Sequence, residues 1–159
     1  WEVSQLLNKA IVKVRRISHE LMPPVLKDFG LEAAFRELFD SSMLSNENIV
    51  PKLRISGLKE RLNIHLEIAL YRIVQEILNN IIKHARASHI DFRLKGEDDG
   101  ISINLKDDGI GFDTTNKQGF GLKYISSRVQ LLNGRLEIVS SKKSGTECKI
   151  WIPKVQVKT

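Results

Sequence analysis

The sequence predicts an α+β two-layer sandwich, and three observations carry that expectation. From residue 49 onward the hydrophobic patterning runs strand, helix, strand, strand, loop, helix, strand, strand. The middle strands are joined through Gly96-Glu97-Asp98-Asp99-Gly100, which has the composition of a hairpin turn and argues against a parallel doubly wound sheet. The length, 159 residues with 42% hydrophobic and 28% charged, suits one core and is too short for two ordinary domains.

Each element has its own signature. Residues 3–21 set Val3, Leu6, Leu7, Ala10, Ile11, Val14, Ile17 and Leu21 at three- and four-residue spacing, a helix with one apolar face that Pro23-Pro24 ends. A second helix is expected over roughly 29–44, from Phe29, Leu31, Ala34, Phe35, Leu38 and Phe39, and 49–56 alternates like a half-buried strand. The stretch 62–86 contains no Gly or Pro and reads as one long helix. Ile90–Leu94 and Ile101–Leu105 are short strands, followed by a polar, glycine-rich loop over 108–120. A helix over 122–132 is stopped at Asn133-Gly134, and 135–140 with 146–152 make a final strand pair.

Composition excludes several classes. One cysteine, Cys148, cannot form an internal disulfide, and neither a signal peptide nor a run of about 18 apolar residues is present. The chain carries 25 Lys and Arg against 19 Asp and Glu, a net charge of +6. The excess is spread out, its longest runs being Arg15-Arg16 and Lys142-Lys143, with no interleaved aromatic residues to stack on bases. That pattern argues against a nucleic-acid surface and suits a small polyanion such as a nucleotide. Starting at Trp1 within a helical pattern, the chain reads as a piece of a longer protein.

Four stretches bear chemistry. On the long helix, Glu76, Asn80, Lys83 and His84 fall on one narrow polar stripe flanked by aliphatic residues. A plain surface helix would show a wide charged face, and Asn79-Asn80 are poor helix formers. Next, Lys106-Asp107-Asp108-Gly109-Ile110-Gly111-Phe112-Asp113 follows an apolar strand. Its glycines allow a tight turn and close approach of a flat ligand, and an aspartate at the strand end can accept hydrogen bonds from an exocyclic amine. Its three acidic residues lack the spacing of a calcium-binding EF-hand loop. Then Gly119-Phe120-Gly121-Leu122 opens a helix, whose free N–H groups and positive dipole end suit phosphate. The third glycine of the dinucleotide fingerprint and the Gly-Lys-[Ser/Thr] of a P-loop are both missing there. Finally, Gly145-Thr146 precedes an apolar strand.

In this order the stretches resemble the ATP-binding catalytic domain of sensor histidine kinases, within the superfamily that also holds DNA gyrase, MutL and the heat-shock ATPase chaperones. The resemblance covers about residues 5–153. Tyr71 to Ala85 looks like the N box, Asp107-x-Gly109-x-Gly111 like the first glycine box, Gly119-x-Gly121-Leu122 like the second and Gly145-Thr146 like the third. The Tyr71-Arg72-Ile73-Val74-Gln75-Glu76 opening, the short loop between glycine boxes, and Leu21-Met22-Pro23-Pro24-Val25-Leu26 with Gly30-Leu31 resemble kinases that signal to NarL/LuxR-type response regulators.

The resemblance implies a Bergerat-type ATP-binding fold, with a mixed, largely antiparallel sheet covered on one face by helices. It implies that residues 1–28 are the distal part of a dimerisation hairpin and 29–159 the catalytic domain. Asn80 would coordinate Mg²⁺ bridging the ATP phosphates, Glu76 would help order the waters of the metal, and Lys83 would meet phosphate. His84 would sit near phosphate or ribose, and Asp107 would bind the adenine amino group, with Gly109 and Gly111 giving the base room. Gly119 and Gly121, with Leu122, would hinge the loop 112–120 as an ATP lid, and Thr146 would help bind the adenine end through a water. Such a domain passes the γ-phosphate to a histidine, and from there to a response-regulator aspartate.

His19-Glu20 is rejected as the accepting site, because Pro23-Pro24 would break the acceptor helix one turn later. The acceptor is therefore expected upstream of Trp1. The parent protein is expected to be a homodimer that meets a membrane only through its N-terminal parts, with this domain in the cytoplasm. Rival readings are an anti-sigma-factor-type serine kinase, a gyrase-like ATPase using Glu76 as general base, and a degenerate nucleotide-binding interaction module.

Overall fold

The computed structural model describes residues 23–44, 46–113 and 120–154. The helix expected over 3–21, His19 and Gly119 lie outside the described residues. In chain order the elements are α1 (Pro24–Met43), β1 (Val50–Ser56), α2 (Ile64–Asn80), a π-helical turn (Ile81–Ala85), β2 (His89–Gly96), β3 (Gly100–Asp107), α3 (Phe120–Leu131), β4 (Arg135–Ser140) and β5 (Thr146–Pro153). The strands form one sheet in the order β1-β2-β3-β5-β4. Only β1 and β2 pair in parallel, so the sheet is mixed and largely antiparallel as expected.

Strand alternation makes the two layers. Ile90, Phe92 and Leu94 of β2 point inward, and so do Ile101, Ile103 and Leu105 of β3 and Cys148, Ile150 and Ile152 of β5. Asp91, Arg93 and Lys95 alternate with them and are accessible to solvent on the other face. Among the described residues helices cover only the inward face. Phe35 and Phe39 of α1 each pack against Phe92, with ring centroids 5.1 Å apart, and Leu70, Ile73, Val74, Ile77 and Leu78 of α2 complete the core. Burying a side chain of the size of Phe92 contributes about 2–3 kcal/mol.

The helix ends follow local chemistry. Asn63 caps α2 by accepting the His65 N–H at 2.9 Å. Asn133, at φ 54°, ends α3 in a left-handed cap in which Gly134 N–H donates to Val129 O and Asn133 N–H to Gln130 O, both at 2.9 Å.

The strands fall within two residues of expectation at each end, and three helices differ from it. α1 starts at Pro24 rather than near 29, because Pro at the first turn is tolerated, and it breaks at Gly30, whose φ of 84° needs glycine. α3 starts at Phe120, two residues early. The single helix expected over 62–86 is α2 plus the π turn 81–85, closed by Arg86 at φ 52°. The Ala85 carbonyl at the end of that turn faces away from the helix, accepting the Ile110 N–H at 2.7 Å. The wide turn therefore joins α2 to the loop after β3, in keeping with the frequent placement of π turns at functional sites.

Candidate functional site: a cavity between α2, α3 and the sheet

A cavity of about 610 Å³ opens where the end of α2, the π turn, the start of α3 and the inward faces of β3 and β5 meet. Asn80, His84, Asp107, Gly111, Gly121, Leu122 and Thr146 line it, so seven of the sequence-predicted residues, drawn from all four stretches, converge on one space.

The others are close by or elsewhere. Glu76 is half-buried one turn before Asn80 and lies against Gly121: a β-carbon at residue 121 would stand 2.6 Å from Glu76 Oε1 and 2.8 Å from Asn80 Nδ2. Gly109 is buried behind the cavity wall, where a β-carbon would be 2.2 Å from the Ala85 carbonyl oxygen. Lys83 is exposed on the π turn and is not part of the lining. Gly119 and most of the expected lid lie outside the described residues.

Asp107 is the one ionisable side chain that interrupts the inward apolar face of β3, at 2% exposure. Its Oδ1 accepts the Gly109 N–H at 2.8 Å, while Oδ2 is buried without a hydrogen-bond partner among the described residues. Burial raises its pKa above the ordinary carboxylate value, against the opposing pull of the Gly109 and Thr146 backbone N–H groups. A buried acceptor left open at a cavity wall calls for a donor from a ligand.

The adjacent Asp108 has a different task. Its Oδ1 accepts the N–H groups of Ser88 and His89 at 2.7 and 2.8 Å, and its Oδ2 lies 2.8 Å from His89 Nδ1. Slight burial works against its ionised form, but these bonds outweigh it and hold its pKa below the usual range. Asp108 thus ties the start of β2 to the end of β3 and leaves Asp107 to face the cavity.

The rim is made by interlocked loops. Gly111 (φ 62°) and Gly145 (φ 71°) both adopt left-handed backbone, and a β-carbon at either would stand 2.1 Å from a backbone oxygen, of Ser141 and Asp107 respectively. Lys143 N–H donates to Ile110 O at 2.7 Å across the same corner.

Sequence reasoning missed the apolar lining: Ile77, Ile81, Ala85, Leu105, Ile110, Phe112, Ile125 and Cys148. The alternation of β3 and β5 could have found Leu105 and Cys148, which share the inward face with Asp107 and Thr146. An apolar chamber with a few convergent polar groups suits a flat base with a polar edge. Among the described residues no group of three or more His, Cys, Asp and Glu could hold a metal ion by itself. The Asn80 amide with the nearby Glu76 carboxylate is a sparse donor set that fits Mg²⁺ held mainly by phosphate oxygens and water.

Residues 65–156 match the family described as histidine kinase-, DNA gyrase B-, and HSP90-like ATPase. The chain belongs to this family of ATPase domains. Over 154 residues it is 34% identical to the signal transduction histidine-protein kinase/phosphatase DegS of Brevibacillus brevis, covering 96% of this chain and 40% of that protein. It is 31% identical to the oxygen sensor histidine kinase NreB of Staphylococcus carnosus (95% and 44%) and 32% identical to the sensor histidine kinase ComP of Bacillus subtilis (95% and 20%). The chain thus spans less than half the length of each. The histidine kinase domain of the Erythrobacter litoralis EL346 blue-light activated histidine kinase shares the fold, with a TM-score of 0.65, 21% identity, and coverage of 79% of this chain and 65% of that one. The Acinetobacter baumannii histidine kinase AdeS does too, at a TM-score of 0.65 and 15% identity, over 96% and 84%. Among the described residues no helix is long and apolar enough to cross a membrane.

Proposed function

We propose that the chain is the ATP-binding catalytic unit of a two-component sensor histidine kinase, serving transfer of the ATP γ-phosphate to a histidine and onward to a response regulator of NarL/LuxR type. The observation that carries this reading is the open Oδ2 of buried Asp107 in an apolar cavity that also collects Asn80, His84, Gly121 and Thr146. Asp107 accepts the adenine amino group, and Gly109 and Gly111 keep its turn tight enough for the base to approach. Asn80 and Glu76 face the phosphate end at the start of α3, where free N–H groups and the helix dipole favour anions. Lys83 and His84, on the π turn, add positive and hydrogen-bonding groups on that side.

Mg²⁺, when bound with ATP, would neutralise phosphate charge, with Asn80 as its protein ligand. Residues 1–28 are assigned to the distal part of the dimerisation hairpin, and dimerisation of the parent protein through that hairpin follows from the assignment. The serine-kinase, gyrase-like and degenerate-module readings are not favoured, because the relatives above are named histidine kinases along almost this whole chain.

Calorimetric titration of a non-hydrolysable ATP analogue, with and without Mg²⁺, tests the proposal. Saturable, metal-dependent binding that Asn80→Asp abolishes is expected. A folded wild-type chain that binds no nucleotide would overturn it.

A further inference from the structure

Ser140, the last residue of β4, belongs to none of the motifs read from the sequence, yet its hydroxyl joins three segments at the cavity rim. Its Oγ accepts the Phe112 N–H at 2.9 Å, donates to the Gly145 carbonyl at 3.0 Å and lies 3.0 Å from Thr146 Oγ1. Phe112 and Thr146 line the cavity, and Thr146 pairs with Ser140 across one ladder and with Asp107 across the next.

Counting protons assigns the direction of each bond. Ser140 has one proton, and the Gly145 carbonyl can only accept, so the proton goes there. The Phe112 N–H occupies one lone pair of Ser140 Oγ. The remaining contact must then use the proton of Thr146, which leaves Thr146 Oγ1 facing the cavity as an acceptor. Beside it stands Asp107 Oδ2, also an acceptor and without a hydrogen-bond partner among the described residues.

The geometry points to Ser140 as a positioning residue that holds the Thr146 hydroxyl as an acceptor beside Asp107 and anchors Phe112 where the chain leaves the glycine turn. The polar edge of the cavity then offers acceptors alone. It selects a base edge that donates hydrogen bonds and disfavours one that carries a carbonyl there. This inference rests on the reading of the cavity as a nucleotide site and adds to it the group that sets its hydrogen-bond polarity.

The test is titration of the wild-type chain, Ser140→Ala and Ser140→Thr with a non-hydrolysable ATP analogue and with its inosine counterpart, which has a carbonyl in place of the amine. Thermal unfolding of each variant is followed in parallel. Loss of the Ser140 hydroxyl is expected to weaken the adenine analogue about fivefold, the scale of one hydrogen bond. It also frees Thr146 to rotate and donate, so the preference for adenine over inosine narrows. Ser140→Thr, which keeps the hydroxyl, restores both. Unchanged affinity and preference in Ser140→Ala would overturn the inference. Equal weakening toward both nucleotides, with the preference intact, would also overturn it, since a purely structural role would produce that result. Ser140→Cys, close in size but a weak hydrogen-bonding group, gives the same reading if the alanine variant does not fold. A wild-type chain that binds neither nucleotide would instead sink the nucleotide-site reading on which the inference stands.

Discussion

Gly121, in the first turn of α3, lies so close to Glu76 of α2 that a β-carbon at residue 121 would stand 2.6 Å from Glu76 Oε1. The atoms in the way are the ends of the Glu76 and Asn80 side chains, which can swing aside. Gly121→Ala should therefore leave folding within about 1 kcal/mol of wild type, helped by the better helix propensity of alanine. The swing displaces the two groups assigned to the phosphate end, so affinity for an ATP analogue should fall about tenfold or more. Gly145→Ala makes the contrast: its β-carbon would meet the Asp107 backbone oxygen at 2.1 Å from a φ of 71°, and neither can yield cheaply. Thermal unfolding and titration of both variants should separate a ligand-site glycine from a fold glycine. Equal destabilisation by the two would contradict the distinction.

Asp107→Asn should cost binding without costing stability. Burial raises the pKa of Asp107, so the folded chain holds its proton more tightly than the unfolded one. Stability from this group is complete below the ordinary carboxylate pKa and declines as pH rises toward the raised value, where the native carboxylate ionises. Above the raised value the penalty is fully present, and the neutral amide removes it. The melting temperature of Asp107→Asn at neutral pH should equal or exceed that of wild type. Its affinity for an ATP analogue should drop about 10- to 100-fold, since an amide N–H replaces an acceptor to a charged group. In the wild type, affinity should weaken as pH falls toward the raised pKa, because the amine of the base needs the ionised form. A variant that melts well below wild type would show that the carboxylate serves the fold instead.

Much of this was legible in the sequence, for physical reasons that mark where legibility ends. Alternation placed Ile90, Phe92 and Leu94 on one face, and the Asn133-Gly134 stop appeared as the left-handed cap it predicts, because both depend on neighbours in the chain. The polar stripe Glu76-Asn80-His84 and the turn after Asp107 were readable as departures from those same periodicities. The π turn was not, because what accompanies it is a contact between Ala85 and Ile110, 25 residues apart in sequence. Ser140 was hidden for the same reason: its partners Phe112 and Gly145 come from other segments, and a serine at a strand end carries no local signal. The exposure of Lys83 depends on the course of the widened turn, which periodicity at 100° per residue does not describe.

An ion pair between the buried Glu67 carboxylate and a half-exposed Arg61 holds the start of α1 to α2. Glu67 is 1% exposed, and its carboxylate receives Arg61 Nε at 2.9 Å, Arg61 Nη2 at 2.7 Å and the Leu62 N–H at 3.2 Å. The same guanidinium donates to the carbonyls of Leu26 and Lys27, and its stem lies over Gly30, where a β-carbon would be 3.1 Å from Arg61 Cδ. Arg61→Ala would leave the Glu67 charge buried without its partner, so its melting temperature should fall by about 5–10 °C. Glu67→Gln should cost less, since an amide can keep part of the hydrogen bonding. Both variants should retain nucleotide affinity below their melting transitions, because the pair is not part of the cavity lining. Affinity lost in a still-folded Arg61→Ala chain would mean that the clamp also shapes the site.

Cys148 gives a chemical probe of the cavity floor. Burial, reinforced by the Asp107 and Glu147 carboxylates, pushes its thiol pKa up to about 12. The thiolate is the reactive form, so the folded chain should resist iodoacetamide at pH 8 and be alkylated at Cys148 only as it unfolds. Mass spectrometry across a urea series should show labelling that tracks the unfolding curve, and a saturating ATP analogue should shift both to higher urea by mass action. The same shift sets an alkaline limit. An unfolded thiol ionises near the ordinary value of 9.0, while the native one keeps its proton up to about 12, so the stability of the chain should decline across that interval. In Cys148→Ala this contribution to the alkaline decline disappears, and the emptied volume costs stability at every pH. Rapid labelling of the native wild-type chain at pH 8 would contradict the burial of Cys148 in the cavity wall.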